Sequence, residues 1–209
     1  EAISNAIELF NGTGKLSFAF SNHDVPRSAS RQLSPLGITL DKQDDLQFLL
    51  LQLETSLIGS CCIYQGEELG LSDVTNIQFD KMKDPWGLNF YPEFLGRDTC
   101  RTPMVWEKNK PMGGFTSANE SWLPISELHM EKAGLDMANS EGSIYNKFSS
   151  FLKWRRKQPA MISSNKMSEL FGGPSEIIFD RESETQILRC KFDFELVKAT
   201  FEEVTYGTS

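Results

Sequence analysis

The stretch "KLSFAFSNHDVPRSASR", residues 15–31, decides the fold. It opens with a short apolar run that is typical of a buried strand in a parallel sheet. Ser21 and then the triplet Asn22, His23 and Asp24 follow this run. Asn and Asp are common turn residues and Pro26 comes next, so the triplet alone is equally compatible with a turn and with a functional site.

The residues after this stretch extend the same pattern. Residues 41–58 predict a helix, because apolar positions recur at helical spacing and Asp41 or Asp44 can cap the first turn. Gly59 is expected to end that helix. "SCCIY" at 60–64 predicts a second buried strand, and the polar "QGEELG" follows it. Strand, polar loop, helix, strand and polar loop form the repeating unit of an α/β protein with parallel strands.

The rest of the chain divides into three parts. Residues 70–142 show little periodicity, and so long a loop is typical of a segment that lines a site. Residues 143–157 predict an amphipathic helix that Ser143 caps. The runs "SEIIFDRES" and "TQILRCKFDFE" are typical of antiparallel strands. We therefore predict one domain at 1–159 and a second, small β domain at 160–209.

The composition excludes several kinds of partner. The 209 residues carry a formal net charge of −8, which argues against a nucleic-acid surface and suits a neutral ligand. The basic cluster at 153–157 is typical of a solvated helix face. No stretch of the sequence is long and apolar enough to span a bilayer. We expect neither nucleic acid nor membrane as a partner.

The four cysteines indicate neither a metal site nor a disulfide framework. Cys61, Cys62, Cys100 and Cys190 form no CxxC pair and no Cys/His cluster with zinc spacing. Cys61 and Cys62 lie in an apolar run, so we expect them to be buried as small hydrophobic residues. We expect no metal ligand in this sequence.

Polar stretches follow both predicted strands. They are "SNHDVPR" after the first strand and "YQGEELG" after the second, with "GRDTCRTPMVW", "GGFT" and "SWLPI" in the long segment. In parallel α/β folds the ligand lies outside the carboxyl ends of the strands. The first two stretches are therefore expected to form part of a binding or catalytic site.

These stretches, in this order, resemble the carboxyl-terminal half of an α-glucosidase of the α-amylase family, glycoside hydrolase family 13, over about residues 10–165. "FSNHDVPR" is similar to the block that ends the seventh strand of that family's (β/α)8 barrel, and "IYQGEELGL" to the end of the eighth. "GRDTCRTPMVW" with "GGFT" and "SWLPI" is similar to the signature of the exo-acting oligo-1,6-glucosidase and α-glucosidase branch, although Val105 stands where relatives often have Gln.

The resemblance implies a fold. The expected class is α/β, as the carboxyl-terminal part of a (β/α)8 TIM barrel, with strands 7 and 8 and their helices. A small, partial antiparallel β domain of the β-sandwich kind would follow it.

The resemblance also implies roles for five residues. Asp24 would be catalytic, as the carboxylate that stabilises the transition state, and His23 would donate a hydrogen bond to a hydroxyl of the bound glucose. Arg101 would hold the non-reducing end of the sugar. Arg97 is expected to support the site, and Arg27 is a further candidate for support. Arg27 and Arg31 flank the triplet, and a structural salt bridge is the favoured role for both. These roles suit glycoside cleavage, because hydrogen bonds to the ring hydroxyls strengthen in its oxocarbenium-like transition state.

Other candidates are expected to be structural. Glu67 and Glu68 cannot easily act together, because neighbours on an extended strand point to opposite faces. His129 has no evident partner and is expected to be exposed or loosely packed. Sugar rings often stack on aromatic side chains, but we expect most of those in the long segment to pack in the core. They are Trp86, Phe90, Tyr91, Trp106 and Trp122.

The resemblance finally implies parts that these residues do not supply. A retaining glycosidase needs a nucleophilic carboxylate and a separate acid/base carboxylate. The family carries both on its fourth and fifth barrel strands, upstream of the Asn-His-Asp triplet, and its structural metal loop also lies upstream. We therefore expect a fragment of a retaining α-glucosidase, inactive alone and without a cofactor in this segment. The full enzyme would release terminal non-reducing α-linked glucose from a small α-glucoside.

Two alternatives stay open. One is a transglucosylase or sucrose isomerase of the same family. The other is a non-catalytic, amylase-like ectodomain of the kind that accompanies amino-acid transporters. The intact "NHD" and "RTPM" disfavour the second alternative.

Overall fold

The computed structural model describes residues 2–10, 16–163 and 166–205. Eight α-helices lie within these ranges: α1 (Ala2–Phe10), α2 (Ser28–Gln32), α3 (Gln43–Ser56), α4 (Pro85–Phe90), α5 (Glu127–Met130), α6 (Gly134–Asn139), α7 (Ile144–Arg155) and α8 (Pro159–Ile162). The strands are β1 (Ser17–Phe18), β2 (Ser60–Cys61), β3 (Lys166–Met167), β4 (Glu176–Glu182), β5 (Ile187–Asp193) and β6 (Lys198–Glu203). Short 3-10 helices occur at Leu40–Lys42, Glu67–Leu69, Phe79–Lys81, Asp98–Cys100 and Pro111–Gly114.

The predicted strand, helix and strand at the start of the chain are confirmed. β1 pairs with β2 in parallel, with Ser17 opposite Ser60 and Phe18 opposite Cys61, and α3 connects the two strands. Both strands are shorter than the apolar runs predicted, and Lys15, the first residue of the predicted run, lies outside the described residues. The polar stretches that follow β1 and β2 therefore leave the same edge of this parallel pair.

The two ends of α3 differ from the prediction. The residue at its N-cap is Lys42, and a 3-10 turn leads into the helix, so neither Asp41 nor Asp44 caps it. Asp44 lies in the first turn instead, where a carboxylate is favourable near the positive end of the helix dipole. At the other end the helix stops at Ser56, before the predicted glycine.

Contrary to the prediction from the sequence, Gly59 does not end α3 and has a different structural role. Its φ is +87°, and a Cβ added there would lie 2.3 Å from the carbonyl oxygen of Leu16. The next residue, Ser60, donates its N–H to that same carbonyl at 2.9 Å. Gly59 thus allows the two backbones to approach where the parallel pairing starts, which a residue with a side chain would prevent.

A large hydrophobic core joins α3 to both sheets. It consists of Phe18, Ala29, Leu46, Leu49, Leu50, Leu53, Leu57, Ala160, Met161, Phe179, Leu188, Cys190 and Phe192. α3 is buried along most of its length, because its apolar side chains face β1 on one side and the antiparallel sheet on the other. Helix α7 packs on α3 through a second cluster that includes Leu51, Phe148 and Phe151.

The carboxyl-terminal sheet is antiparallel, as predicted. Its strand order is β3-β4-β5-β6, and β4 and β5 pair over seven residues each, from Glu176 opposite Asp193 to Glu182 opposite Ile187. The alternation of buried and half-buried residues along β5 places Leu188, Cys190 and Phe192 on the core face. These residues share one core with α3. The domain boundary near 160 stays a prediction.

Two groups of residues are more exposed than the sequence predicted. Cys61, the last residue of β2, and Cys62 after it are both exposed, so the expected burial of these two cysteines was wrong. The five aromatic residues named above in the long segment are all at least 44 % exposed. They lie on short helices and connecting loops at the surface, so core packing was the wrong expectation for them.

Helix α7 agrees with its prediction in detail. It covers Ile144–Arg155, and the hydroxyl of Ser143 accepts from the N–H of Asn146 at 3.2 Å. The N-terminal cap was therefore predictable from the sequence.

Candidate active site

The triplet that follows β1 forms a turn and also presents two polar side chains to solvent. The side-chain oxygen Oδ1 of Asn22 accepts from the N–H of Asp24 at 2.8 Å, which is an Asx turn. The side chains of His23 and Asp24 are 70 % and 53 % exposed. The two interpretations of the sequence are thus compatible, since Asn22 makes the turn and its neighbours remain accessible.

Two arginines from the long segment meet the carboxylate of Asp24. Arg97 Nη1 donates to Asp24 Oδ1 at 3.1 Å, and Arg101 Nη2 donates to the same oxygen at 2.9 Å. Arg101 Nε also donates to the backbone carbonyl of His23 at 2.6 Å. His23 Nε2 lies 3.4 Å from Asp24 Oδ2. The fold therefore brings together four of the five predicted site residues, which come from two distant parts of the sequence.

Arg97 is oriented by a buried carboxylate that the sequence analysis missed. Asp84, whose side chain is fully buried, accepts from Arg97 Nε at 3.0 Å and from Arg97 Nη2 at 2.8 Å. These bonds from Arg97 lower the pKa of Asp84 to about 2. The guanidinium also lies 5.1 Å from the ring of Trp86. Asp84 therefore fixes the guanidinium through Nε and Nη2, and Nη1 is left to donate to Asp24.

A local signal marked Asp84 in the sequence. Its carboxylate accepts from the N–H of Trp86 at 3.4 Å and caps α4, with Pro85 at the first helical position. An Asp followed by Pro is a helix-start signature, but it does not reveal the partner thirteen residues away. Gly96 permits that contact, because a Cβ there would lie 2.6 Å from Asp84 Oδ2.

Arg27 lies apart from this group and is fully buried. Its guanidinium donates to the carbonyls of Ser72 at 3.3 Å and Gln65 at 3.2 Å, and lies 3.5 Å from the carboxylate of Asp73. The backbone N–H of Arg27 also donates to Asp73. The structural salt bridge that was favoured for Arg27 is thus present, and it fastens the segment that carries Asp24 to the segment after β2.

His129 contradicts its prediction, since it is buried and bonded. Its Nε2 lies 2.8 Å from the carbonyl of Ser72, the same carbonyl that accepts from Arg27. Burial lowers the pKa of His129 to about 4. The partner was not predictable because it lies 57 residues away in the sequence.

Two buried glutamates lie beneath the site. Glu67, on the 3-10 helix Glu67–Leu69 and not on a strand, accepts from the hydroxyls of Ser21 and Ser28. Glu54, on α3, accepts from the N–H of Phe20 at 3.4 Å. Burial, together with the nearby charge of Glu67, raises the pKa of Glu54 to about 8.

The chemistry available at this site is hydrogen bonding to a polar ligand. Asp24 supplies acceptor oxygens, while His23, Arg97 and Arg101 supply donors, which suits a neutral molecule rich in hydroxyl groups. In the part of the chain that the structure describes, no group of three or more His, Cys, Asp or Glu residues could hold a metal ion. No helix in the described ranges has the length and apolar character that crossing a membrane requires.

Three comparisons relate this chain to known proteins. The family model "Alpha amylase, catalytic domain" matches residues 1–164. A probable alpha-glucosidase of Rhizobium meliloti is 44% identical over 144 residues, which are 69% of this chain and 25% of the relative. An oligo-1,6-glucosidase of Parageobacillus thermoglucosidasius is 31% identical over 156 residues, which are 65% of this chain and 27% of the relative. The chain thus spans about a quarter of the length of these two relatives.

Solved structures give the same fold. An alpha-glucosyl transfer enzyme, XgtA, superposes with a TM-score of 0.80 at 33% identity, covering 92% of this chain and 35% of that one. A trehalose-6-phosphate hydrolase of Bacillus licheniformis superposes with a TM-score of 0.77 at 22% identity, covering 92% of this chain and 37% of that one. The fold expectation is confirmed: the chain has the carboxyl-terminal part of a (β/α)8 barrel followed by a small antiparallel sheet.

Proposed function

The chain belongs to the α-amylase catalytic-domain family, and we propose that it forms the carboxyl-terminal part of a retaining α-glucosidase. The full enzyme releases terminal α-linked glucose from the non-reducing ends of small oligosaccharides. Support comes from the relatives named as an alpha-glucosidase and an oligo-1,6-glucosidase.

The single observation that carries the proposal is the environment of Asp24. Its carboxylate is half exposed at the carboxyl end of β1, and Arg97 and Arg101 both bond to Oδ1. Oδ2 points toward His23. A carboxylate fixed through one oxygen can accept from ring hydroxyls through its remaining lone pairs. Such bonds strengthen when the glucose ring acquires oxocarbenium character, so Asp24 stabilises the transition state.

The arginines and His23 complete the glucose pocket in this proposal. Arg101 bonds to both Asp24 and the His23 carbonyl, so it fixes the two residues relative to each other while it faces the non-reducing end of the sugar. His23, the most exposed of the group, donates to a ring hydroxyl. Arg97 supports Asp24 from the side of Asp84, and Arg27 supports the turn from below.

The nucleophile and the acid/base are proposed to come from polypeptide outside these 209 residues. Within the described residues, the other carboxylate bonded to this group is Asp84, whose side chain is buried and occupied by Arg97. A retaining mechanism needs two carboxylates about 5 Å apart on either side of the scissile bond. The 209-residue chain alone is therefore inactive, and the structural metal loop of the family lies outside it as well.

A transglucosylase is the second candidate, favoured by one finding. XgtA, the solved structure superposed at 33% identity, is described as an alpha-glucosyl transfer enzyme. Hydrolysis and transfer share the glucosyl-enzyme intermediate and differ in whether water or a sugar hydroxyl accepts the glucose. Analysis of the products formed from maltose at high concentration separates the two, since transfer yields trisaccharides and hydrolysis yields only glucose.

The test is Asp24→Asn in the full-length enzyme, assayed with maltose and an aryl α-glucoside. We expect kcat to fall by a factor of about 1,000 or more while KM changes little, because the lost interaction acts mainly in the transition state. Asp45→Asn is the matched control, since Asp45 is an exposed carboxylate on α3 that pairs only with Lys42 among the described residues. A variant at Asp24 with near wild-type kcat contradicts the proposed role.

A further inference from the structure

The segment that carries His23 and Asp24 is tied at both ends to one buried carboxylate. Glu67 has no exposed surface. Its Oε1 accepts from the hydroxyl of Ser21 at 2.5 Å and from the hydroxyl of Ser28 at 2.8 Å. Ser21 is the last residue before the triplet, and Ser28 is the first residue of α2. One oxygen atom therefore fixes the two ends of the turn relative to each other.

The remaining contacts close this network. The N–H of Ser28 donates to the hydroxyl oxygen of Ser21 at 2.7 Å, so the two ends are also bonded directly. The second oxygen of Glu67 accepts from the N–H of Tyr64 at 3.2 Å, which ties the same carboxylate to the segment after β2. Ser21 and Ser28 are each only 2 % exposed, so water cannot replace these bonds without opening the structure.

We propose that Glu67 is a positioning residue for Asp24: its buried carboxylate sets the distance between Ser21 and Ser28 and thereby holds the Asp24 carboxylate against Arg97 and Arg101. The inference rests on the proposed function, because Asp24 is the group whose placement matters there. Asp24 lies three residues from Ser21 and four from Ser28, so a change in the span of the turn moves its side chain.

The position of the 3-10 helix explains why the carboxylate reaches both serines. Gly66, with φ of +89°, turns the backbone after Tyr64 so that Glu67 points back beneath β1. The neighbouring Glu68 bonds differently, since its carboxylate accepts from the N–H of Gly66 at 2.8 Å within the same turn. Two adjacent glutamates thus have separate structural roles, and Glu68 serves as a matched control.

The first experiment is a double-mutant cycle in the full-length enzyme, with kcat measured on an aryl α-glucoside whose good leaving group keeps slow variants measurable. The carboxylate of Glu67 only accepts hydrogen bonds, from the hydroxyls of Ser21 and Ser28 and from the N–H of Tyr64. In Glu67→Gln an amide N–H₂ group replaces one accepting oxygen, so at least one of these hydrogen bonds is lost. We expect kcat to fall about tenfold in the wild-type background, and less than about twofold when Asp24→Asn is already present. Glu68→Gln leaves kcat within about twofold.

Loss of folded protein alone predicts a different result. A Glu67→Gln variant that only folds less well loses the same factor in both backgrounds, and that result overturns the inference. An equal loss in Glu68→Gln overturns it as well. If Glu67→Gln yields no folded enzyme, Ser28→Ala removes a single bond to the same oxygen and enters the same cycle with the same two outcomes.

The second experiment reads the position of Asp24 without using activity. His23 Nε2 lies 3.4 Å from Asp24 Oδ2, so the imidazole resonances of His23 report where that carboxylate lies. These resonances are assigned by their disappearance in His23→Gln. We expect them to shift in Glu67→Gln and to stay in place in Glu68→Gln. Unchanged His23 resonances in Glu67→Gln overturn the inference, whereas a wild-type enzyme that does not cleave α-glucosides overturns only the proposed function.

Discussion

Replacing Glu54 with Gln should make the full-length protein more stable, and increasingly so as the pH rises. Glu54 is 2 % exposed and lies on α3 beneath the carboxyl end of β1. Burial, reinforced by the charge of Glu67, raises its pKa from 4.5 to about 8. The folded protein therefore keeps this carboxyl protonated at neutral pH, whereas the unfolded chain ionises it.

The sign and size of the effect follow from proton linkage. Because the folded state binds a proton that the unfolded state releases, the free energy of unfolding decreases as the pH rises from about 4.5 to about 8. Each pKa unit corresponds to about 1.4 kcal/mol. The free energy of unfolding at pH 7 is therefore lower by about 3 kcal/mol than at acid pH, where Glu54 is protonated in both the folded and the unfolded state. The Glu54→Gln variant has no such carboxyl, and its amide oxygen can still accept from the N–H of Phe20.

The assay is thermal unfolding of the wild type and the variant at pH 5, 6, 7 and 8. We expect the Tm values to be close at pH 5 and the variant to unfold at progressively higher temperature toward pH 8. A stability gain that is the same at pH 5 and pH 8 would refute the raised pKa, and a loss at every pH would show that the carboxyl stabilises the fold through contacts that the amide cannot make.

His129→Gln provides a control of opposite sign. His129 is 1 % exposed, and burial lowers its pKa from 6.5 to about 4. The stability associated with its neutral form is present above pH 6.5 and is lost as the pH falls toward 4. The variant should therefore differ from wild type in the acid range, with a difference that changes little between pH 7 and pH 8, where the effect of Glu54 is largest.

Two further predictions concern the ligand and the backbone. Arg101→Ala should raise KM and lower kcat/KM for both maltose and an aryl α-glucoside, because Arg101 faces the non-reducing glucose in the proposed function; unchanged kcat/KM on both substrates would count against that role. Gly59→Ala should destabilise the protein by more than about 3 kcal/mol, because it forces a Cβ to 2.3 Å from the carbonyl oxygen of Leu16. Gly37→Ala should destabilise it by only about 1 kcal/mol, because φ is positive at Gly37 but no atom lies within 4 Å of the added Cβ. Denaturant unfolding of the two glycine variants measures the difference, and equal costs would show that the close approach to Leu16 is not the constraint.

The elements that the sequence predicted are those with a local signal. The apolar runs of β1 and β2 and the helical spacing between them sufficed to predict a parallel pair joined by α3, which the structure confirms. The alternation in β4 and β5 likewise predicted an antiparallel pair. Where the signal was weaker, as at the first turn of α3, the exact cap was wrong.

The contacts that build the site have no such local signal. Glu67 meets Ser21 across 46 residues, and Arg97 meets Asp24 across 73. A hydrogen bond between residues so far apart leaves no periodicity in the sequence, so only the resemblance to a family could place Asp24 and Arg97 in one site. The burial of Glu67 and His129 was hidden for the same reason, because each is buried by partners from distant segments.

The charges around Asp24 explain how an exposed turn can hold a carboxylate in a fixed position. Arg97 makes two side-chain bonds to the buried Asp84 and one to Asp24, so its position is set by the buried partner. The turn itself is fastened from below, at Ser21 and Ser28, by a carboxylate with no exposure. A functional group needs supporting residues whose own positions are locked, because a displacement of 1 Å is enough to impair its chemistry. Asp24 is supported in this way from two sides by buried residues, and substitutions at those residues should therefore lower kcat, although by less than the loss of the Asp24 carboxylate itself.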